Sequence, residues 1–294
     1  MKAIKKICAL CAISMALFAC EKPIFDESSS DSNEPFGNVT LTFSAHGATT
    51  RAAATDIGTC FSKLNVMLFN ADGTKYFDKV RTQYSTDENF GQLSLTLPAG
   101  EYGVVAVGHS SAKSATIKSM EMVQFTASDG QKLTDTFCYG GTVTVGDTPE
   151  QHQLTMNRMG AMVRFQFTDE EIPAQLTHVK FDYTGGSANF NPTTSEGTTK
   201  STQSEMRPVA ADDVYEIFTF PYLSSSGTLK VTITALTAQG DVIKKRTLDA
   251  VPVTRNRITS YTGPLFAEGE GTITQSGFSF TVNSEWEGED KHEF

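Results

Sequence analysis

Strict alternation of apolar and polar residues recurs along most of this chain. Residues 38–46 read Asn-Val-Thr-Leu-Thr-Phe-Ser-Ala-His, in which Val39, Leu41 and Phe43 alternate with hydroxyl side chains. A period of two places the apolar side chains on one face of an extended strand. No stretch shows apolar residues spaced by three and four over ten positions, so we expect little helix. The sequence therefore predicts an all-β protein.

Turn sequences separate the alternating runs. Asp72-Gly73 follows the run at residues 64–69 and leads into residues 75–80. It is a strong hairpin signal, because both central positions of the turn favour positive φ. A second pair of runs flanks Pro98-Ala99-Gly100. Strands that recur with turns at such short intervals are typical of antiparallel sandwiches.

The length of the chain permits more than one core. Its 294 residues are too many for a single small sandwich. A polar seam at residues 146–153 divides the runs into two groups, so we expect antiparallel β-sandwich domains at residues 38–150 and 151–294. The Ser-, Thr-, Asn- and Gly-rich residues 185–205 are expected to form a surface loop.

The first twenty residues have the composition of an export signal. Three lysines precede an apolar run at residues 7–18, and a small residue, Ala19, stands before Cys20. The run is shorter than the ~20 residues that a membrane-spanning helix needs, so residues 1–19 are expected to be removed as a signal peptide. The arrangement resembles a bacterial lipobox, which implies acylation of Cys20, although Phe18 is bulkier than usual there. A leader cysteine without lipid is the alternative.

The charge of the chain limits the kinds of partner that it can bind. It carries 34 acidic and 24 basic residues, a net charge of −10, and removal of the leader takes away only basic residues. Phosphate backbones repel so acidic a protein, so nucleic acid is excluded as a partner. Residues 20–37 are rich in Ser, Asp, Glu and Pro and are expected to form a flexible tether between lipid and folded body.

The residue types that carry chemistry do not converge in the sequence. The histidines show no metal-ligand spacing; they are His46, His109, His152, His178 and His292. No G-x-S-x-G motif occurs. The carboxylates at residues 169–171 and 212–213 lie in polar turns and indicate solvated surface more than acid and base catalysis. The sequence therefore predicts no catalytic, cofactor-binding or metal site, and no enzyme.

Two cysteines remain after the leader and Cys20. They are Cys60 and Cys138. Two cysteines in an exported protein indicate a possible disulfide. Two buried thiols are the alternative interpretation.

Several segments, in order along the chain, carry a family resemblance. They are residues 64–73 (LNVMLFNADG), 95–108 (LTLPAGEYGVVAVG), 135–140 (DTFCYG), 154–164 (LTMNRMGAMVR) and 253–257 (VTRNR). Together with the lipobox, they resemble the fimbrillin superfamily of Bacteroidetes. That resemblance implies a lipoprotein precursor of a type V pilus, with two tandem transthyretin-like β-sandwich domains, on the outer membrane or in the fimbrium.

The resemblance also implies a mode of assembly. Shaft subunits of this superfamily are cut by an arginine-specific protease in the loop after the first strand, and Arg51-Ala52 lies in such a loop. Removal of residues 38–46 would leave an apolar groove that another subunit's strand fills. The candidate donor strand is Phe278, Phe280 and Val282, continued to Trp286. An uncut Arg51 would favour an anchor role, and an ordinary exposed arginine is the alternative.

A second class of function stays open at this point. The chain could be a monomeric surface lipoprotein that binds glycan. Its contacts would then come from residues 185–205 and from Trp286, the single tryptophan. Host or bacterial surface ligands are possible partners under either hypothesis.

Overall fold

The chain folds almost entirely into β-strands. The computed structural model describes residues 36–46, 57–126, 132–267 and 288–293. Strands make up 60% of the chain and helix 1%. Within the described residues the helical part is a 3-10 turn at Ile57–Thr59. The predicted all-β class and the scarcity of helix are confirmed.

The strands follow one another with short connections. Those of the first half are β1 (Phe36–His46), β2 (Lys63–Phe69), β3 (Arg81–Tyr84), β4 (Gln92–Pro98), β5 (Gly100–His109), β6 (Thr116–Ser119), β7 (Met122–Gln124), β8 (Phe137–Val145) and β9 (Glu150–Arg158). Those of the second half are β10 (Ala161–Phe167), β11 (His178–Thr184), β12 (Asn189–Asn191), β13 (Glu196–Gly197), β14 (Gln203–Pro208), β15 (Val214–Thr219), β16 (Ser226–Leu236), β17 (Val242–Thr254), β18 (Arg257–Gly263) and β19 (Gly288–Glu293).

These strands form four sheets. Sheet 1 has seven strands in the order β3-β2-β5-β8-β9-β1-β4, and sheet 2 has four in the order β13-β12-β7-β6. Sheet 3 has the order β15-β10-β18-β19, and sheet 4 the order β14-β11-β16-β17. Pairing is antiparallel except between β1 and β9, β10 and β18, and β18 and β19, which are parallel. The sheets are thus largely antiparallel, as the turn spacing predicts.

The first core lies on both faces of β2 and β5. Nearly every residue of these strands is buried, which is the pattern of a strand covered on two sides. On one face the Phe125 ring meets His109 edge-on, with 5.1 Å between ring centroids. On the other face Gly108 makes room for the Phe61 ring, since a Cβ at Gly108 would lie 2.4 Å from it. These two strands therefore form the middle layer of the first core.

The second core lies between sheets 3 and 4. Phe165 of β10 stacks on Phe181 of β11 with 5.5 Å between ring centroids, and on Tyr261 of β18 with 5.7 Å. All three rings are buried. Inward-facing aromatic rows from facing sheets are the expected content of a sandwich core. The chain thus has two apolar clusters, and the first also takes in residues of the second half, such as Phe190, Phe218 and Phe220.

The passage between the halves comes one strand later than the sequence suggests. β9, which begins at Glu150, pairs with β1 and with β8 and so belongs to sheet 1. The chain enters sheet 3 at Ala161. Sheet 2 also contains β12 and β13 from the second half. β12 pairs with β7, and β13 pairs with β12. The boundary expected at residue 150 is therefore not where the sheets change, and the division into two domains stays a prediction.

The turn predicted at Asp72-Gly73 is present. The Asn70 amide donates to the Thr74 carbonyl over 2.8 Å, and Gly73 has φ of +81°. Asp72 Oδ1 accepts a hydrogen bond from the Thr74 amide at 2.9 Å. The prediction of a return strand at residues 75–80 is wrong. The chain forms an isolated bridge with β2 at Lys75, and the next strand, β3, begins only at Arg81.

An ion pair ties sheet 1 to the turn between β17 and β18. Arg158, at the end of β9, donates from Nε to Asp135 Oδ1 at 2.9 Å and from Nη1 to Asn256 Oδ1 at 3.0 Å. Its guanidinium also lies 4.6 Å from the centroid of the Phe137 ring. Burial raises the pKa of Asp135, while the charge of Arg158 opposes that shift. Loss of either partner would leave the other charge buried and unpaired, which is costly.

A buried histidine fastens β5 to the segment before β6. His109 Nδ1 accepts from the Ser111 amide at 3.1 Å, so Nε2 carries the proton and donates to Asn65 Oδ1 at 2.9 Å. Asn65 Oδ1 also accepts from the Ala115 amide at 2.8 Å. Burial, with a smaller contribution from the charge of Lys63, lowers the pKa of His109 to about 4. The neutral ring is therefore the form that the fold accommodates.

We expect this histidine to make the protein acid-sensitive. Between pH about 6.5 and about 4 the unfolded chain binds a proton at this ring and the folded chain does not, so the free energy of unfolding falls as pH falls through that window. The full effect is on the order of 3 kcal/mol. Urea titrations across the window should show a shallower pH dependence for His109→Gln. The half-exposed His178→Gln serves as control and should keep the wild-type slope; an unchanged slope for His109→Gln would refute the assignment.

Candidate strand-exchange site

The first strand occupies an interior position in sheet 1. β1 lies between β4, with which it pairs antiparallel, and β9, with which it pairs parallel. Leu41 sits opposite Leu93 on one side and His152 on the other. A strand at the start of the described chain therefore has both of its edges satisfied by strands from later in the sequence.

The two faces of β1 match the alternation in its sequence. Val39, Leu41 and Phe43 are 1%, 0% and 4% exposed. Thr40, on the opposite face, lies 3.2 Å from Ser94 through their hydroxyl oxygens. The predicted strand and its inward-facing apolar row are confirmed. Burial of three such side chains is worth several kcal/mol, at about 1.5–3 kcal/mol each.

A chain without β1 would present a groove. Leu154 and Met156 of β9 are buried in the same core as β1 and would form part of the groove floor. The backbone groups of β4 and β9 that now pair with β1 would lose their partners, and an unpaired edge of that kind is a template for another strand. Removal of β1 would thus expose an apolar floor and two unpaired strand edges.

The connection after β1 is held at both ends. β1 ends at His46, and the 3-10 turn begins at Ile57, which is 5% exposed. Gly91 admits the Ile57 side chain, because a Cβ at Gly91 would lie 2.5 Å from Ile57 Cδ1. The predicted cleavage position, Arg51-Ala52, falls between these points and outside the described residues.

Other predicted site residues also fall outside the described part of the chain. These are Cys20 and the candidate donor residues Phe278, Phe280, Val282 and Trp286. The strand that follows them, β19, pairs parallel to β18 in sheet 3. The His292 ring of β19 stacks on Tyr261, with 5.1 Å between ring centroids.

The two cysteines of the folded body are not joined. No disulfide connects Cys60 and Cys138, so the structure contains two thiols at these positions. The Cys138 thiol faces the Tyr139 carbonyl at 3.5 Å, whereas the Cys60 sulfur lies 3.9 Å from the Thr59 hydroxyl. Cys138 is buried and Cys60 is half-buried. Both thiols therefore serve as packing groups of the first core.

Part of the surface loop expected at residues 185–205 is interior. It contains β12 and β13, and Ser187 and Phe190 are fully buried. Phe190 meets Phe220 edge-on, with 4.8 Å between ring centroids. The polar composition of the segment concealed this role, and the lone aromatic within it is the signal that could have shown it. The segment thus packs partly against the core, while residues 193–194 and 199–200 stay exposed.

Glu205, at the end of this segment, is a buried carboxylate that the sequence pattern did not predict. Tyr183 donates its hydroxyl proton to Glu205 Oε1 at 2.8 Å, and Arg207 forms a salt bridge to Glu205 Oε2. Burial raises the pKa of Glu205, and the charge of Arg207 opposes the shift. Both carboxylate oxygens accept from protein donors. The group therefore stabilises the contact of β11 with β14 and leaves neither oxygen unpartnered.

The other ionisable groups of the described residues include isolated ion pairs, such as Arg164 with Glu216 and Lys230 with Asp249. The described residues contain no group of three or more His, Cys, Asp or Glu side chains placed to hold a metal ion. Asp169 accepts from the backbone amides of Leu265 and Phe266 at 2.6 and 2.8 Å, so it caps the chain after β18. Within the same described residues, no helix has the length and apolar character to cross a membrane.

Comparison with known proteins places this all-β chain in a family. Residues 32–293 match DUF6562, described as a family of unknown function, and the chain belongs to it. The comparison with curated proteins finds no match.

Several solved structures share part of the fold. One is a DUF1812 protein from Bacteroides thetaiotaomicron VPI-5482, 14% identical, with 71% of this chain and 79% of that chain covered and a TM-score of 0.49. Another is the fimbrial anchor protein Mfa2 from Porphyromonas gingivalis, 14% identical, with 71% and 81% covered and a TM-score of 0.42. A third is a fimbrial assembly protein from Parabacteroides distasonis ATCC 8503, 12% identical, with 79% and 91% covered and a TM-score of 0.39.

The inward row of β1 should dominate its contribution to stability. Leu41→Ala removes a fully buried side chain and is expected to lower the free energy of unfolding by about 3 kcal/mol. Thr40→Ala, one residue away on the opposite face, should cost no more than about 1 kcal/mol. Urea unfolding followed by circular dichroism measures both. Equal losses for the two variants would contradict the placement of β1.

The cysteines should behave as two thiols of unequal reactivity. Denaturation without reductant followed by alkylation should label both Cys60 and Cys138, as peptide mapping would show. In the folded protein Cys138 should react far more slowly, because burial raises the pKa of its thiol. A peptide in which the two cysteines are linked would contradict this result.

Proposed function

We propose that this chain is a cell-surface lipoprotein that acts as a subunit of a type V pilus and has no catalytic activity. It assembles with other fimbrial subunits, or anchors them, by β-strand exchange, and it supports adhesion. The observation that carries the proposal is the position of β1. It is an eleven-residue strand, near the start of the chain, whose removal would open one groove in an otherwise complete sheet.

The groove would specify the strand that refills it. An incoming strand must place apolar side chains where Val39, Leu41 and Phe43 now lie, and small polar side chains on the other face. It would pair antiparallel to β4 and parallel to β9 if it ran in the direction of β1. Main-chain hydrogen bonds would supply affinity, and the alternate side chains would fix the register.

A segment of this chain has the required pattern. Residues 278–282 read Phe-Ser-Phe-Thr-Val, and residues 39–43 read Val-Thr-Leu-Thr-Phe. Each apolar position of one corresponds to an apolar position of the other, and each polar position is Ser or Thr in both. Residues 278–282 of a neighbouring subunit are therefore suited to replace β1.

The anchor would be the lipid on Cys20. Two or three acyl chains hold a protein stably to a membrane, where one chain does not. Residues 20–35 would then join the outer membrane to β1, which begins at Phe36. A subunit that keeps both its lipid and β1 would act as an anchor, whereas cleavage after Arg51 would remove both and produce a shaft subunit.

Cleavage at Arg51 tests the proposal directly. Treatment of the lipidated protein with an arginine-specific protease should release residues up to Arg51 and yield oligomers that resist sodium dodecyl sulfate. Arg51→Ala should remain uncut there and should form no oligomers that resist sodium dodecyl sulfate. Intact mass and N-terminal analysis of protein from its own cells should give either an acylated Cys20 or a start at Ala52.

Two results would contradict the proposal. One is a protein cut after Arg51 that loses β1 and forms no oligomers resistant to sodium dodecyl sulfate when mixed with itself and with other fimbrial subunits. The other is a mature N-terminus that lacks acyl groups and does not begin at Ala52. A monomer that bound polysaccharide and quenched Trp286 fluorescence would favour the glycan-binding alternative.

A further inference from the structure

One edge of sheet 1 lacks the charged residues that the other sheet edges carry; its strand, β4, ends instead in Pro98, which has no N–H to donate. Each of the four sheets has two edge strands. Seven of these eight strands contain at least one Lys, Arg, Asp or Glu, namely β3, β6, β13, β14, β15, β17 and β19. The eighth is β4, whose sequence is Gln-Leu-Ser-Leu-Thr-Leu-Pro. Charged residues on edge strands are a common device against pairing with other chains, so β4 is the exception within the described strands.

The backbone groups that β4 turns outward can be identified. The Phe43 amide donates to the Gly91 carbonyl at 2.8 Å. Antiparallel pairing alternates between hydrogen-bonded and non-hydrogen-bonded pairs, so Leu93, Leu95 and Leu97 also direct their N–H and C=O groups toward β1. Ser94 and Thr96 then direct theirs to the open edge. No described group bonds to the backbone of these two residues at that edge.

The backbone groups at the start of β4 already have hydrogen-bond partners, in the loop before it and in β3. The Gln92 amide donates to the Asn89 carbonyl at 2.9 Å, and the Gln92 carbonyl accepts from Gln83 Nε2 at 2.6 Å. Gln83 Oε1 in addition accepts from the Gly91 amide at 3.0 Å. The available part of the edge is therefore centred on Leu95, with Ser94 and Thr96 on either side.

The side chains of this stretch are also incompletely covered. Leu93 and Leu95 are half-buried, whereas Leu97 is buried at 2% exposure. Ser94 and Thr96 are exposed on the opposite face. An added strand with apolar residues on the first face would finish the burial of the leucines, and small hydroxyl residues would fit the second face.

We propose that β4 pairs antiparallel with β4 of a second copy of this chain, about a two-fold axis through Leu95. In that register Ser94 of each copy exchanges two backbone hydrogen bonds with Thr96 of the other, and the two Leu95 residues form the non-hydrogen-bonded central pair. Leu93 lies opposite Leu97 of the other copy, so apolar meets apolar on the inner face. This dimer uses the edge of β4 that faces away from β1, and it does not depend on strand exchange.

The second copy is the occupant that the edge favours, because the edge is complementary to itself. The sequence Leu-Ser-Leu-Thr-Leu keeps the same pattern when it is reversed, which an isologous interface requires. A net charge of −10 makes copies of the chain repel one another. The uncharged β4 edge is where two copies can approach without placing like charges in contact.

Charge reversal at the facing pair tests both the interface and its register. Ser94→Lys with Thr96→Lys would place two Lys–Lys pairs across the axis, whereas Ser94→Lys with Thr96→Glu would place two Lys–Glu pairs. The control is Gln151→Lys with Gln153→Lys on the exposed side of β9, which changes the net charge as much as the double-lysine variant does. Each full-length protein, uncut at Arg51, is measured by sedimentation velocity and chemical cross-linking.

The wild-type chain and the β9 control should dimerise with equal affinity. The double-lysine variant should dimerise about tenfold more weakly, and the Lys–Glu variant should dimerise at least as tightly as the wild type. A wild-type protein that is monomeric at about 100 μM would overturn the proposal. So would equal dimerisation of all four proteins, since the interface would then lie elsewhere. Neither result bears on cleavage at Arg51, so the strand-exchange proposal is tested separately.

Discussion

The structure depends on the insertion of β1 between two strands that come later in the chain. β4 and β9 do not pair with each other; each pairs with β1. The three apolar side chains of β1 complete the core that β2 and β5 also face. The sheet is therefore whole only while this segment, or an equivalent one, is present.

Local patterns predicted much of this architecture. Alternation identified β1, β2, β10 and most later strands, because side-chain direction in a strand depends only on position. The turn at Asp72-Gly73 was predicted correctly, because the positive φ of Gly73 depends only on the residues of the turn itself. The same patterns could not show which strands pair. β9 looked like the start of the second half, but its partners are β1 and β8. The sequence of a single strand does not reveal a pairing partner that lies more than a hundred residues away, as β9 does from β1.

The parts of the candidate site that were missed share one cause. Residues 185–205 are polar in composition, and the structure still buries Ser187 and Phe190 because β12 pairs with β7 of the other half. Glu205 is buried because Tyr183 and Arg207 satisfy its oxygens. The sulfurs of Cys60 and Cys138 belong to one core and face different partners. For Phe190 and Glu205 a partner distant in sequence, in β7 or at Tyr183, contributes to burial, and composition reports only the average environment of a residue.

The parallel and antiparallel pairing of β1 has a mechanical consequence. Tension applied at residue 36 along the strand would load the hydrogen bonds to β4 and to β9 at the same time, in shear, so that they would have to break together. A strand pulled sideways from an edge would instead peel, one bond after another. A load that entered the chain before Phe36 would reach β1 along this resistant direction. The strand would thus resist withdrawal along its own axis more strongly than an edge strand that peels.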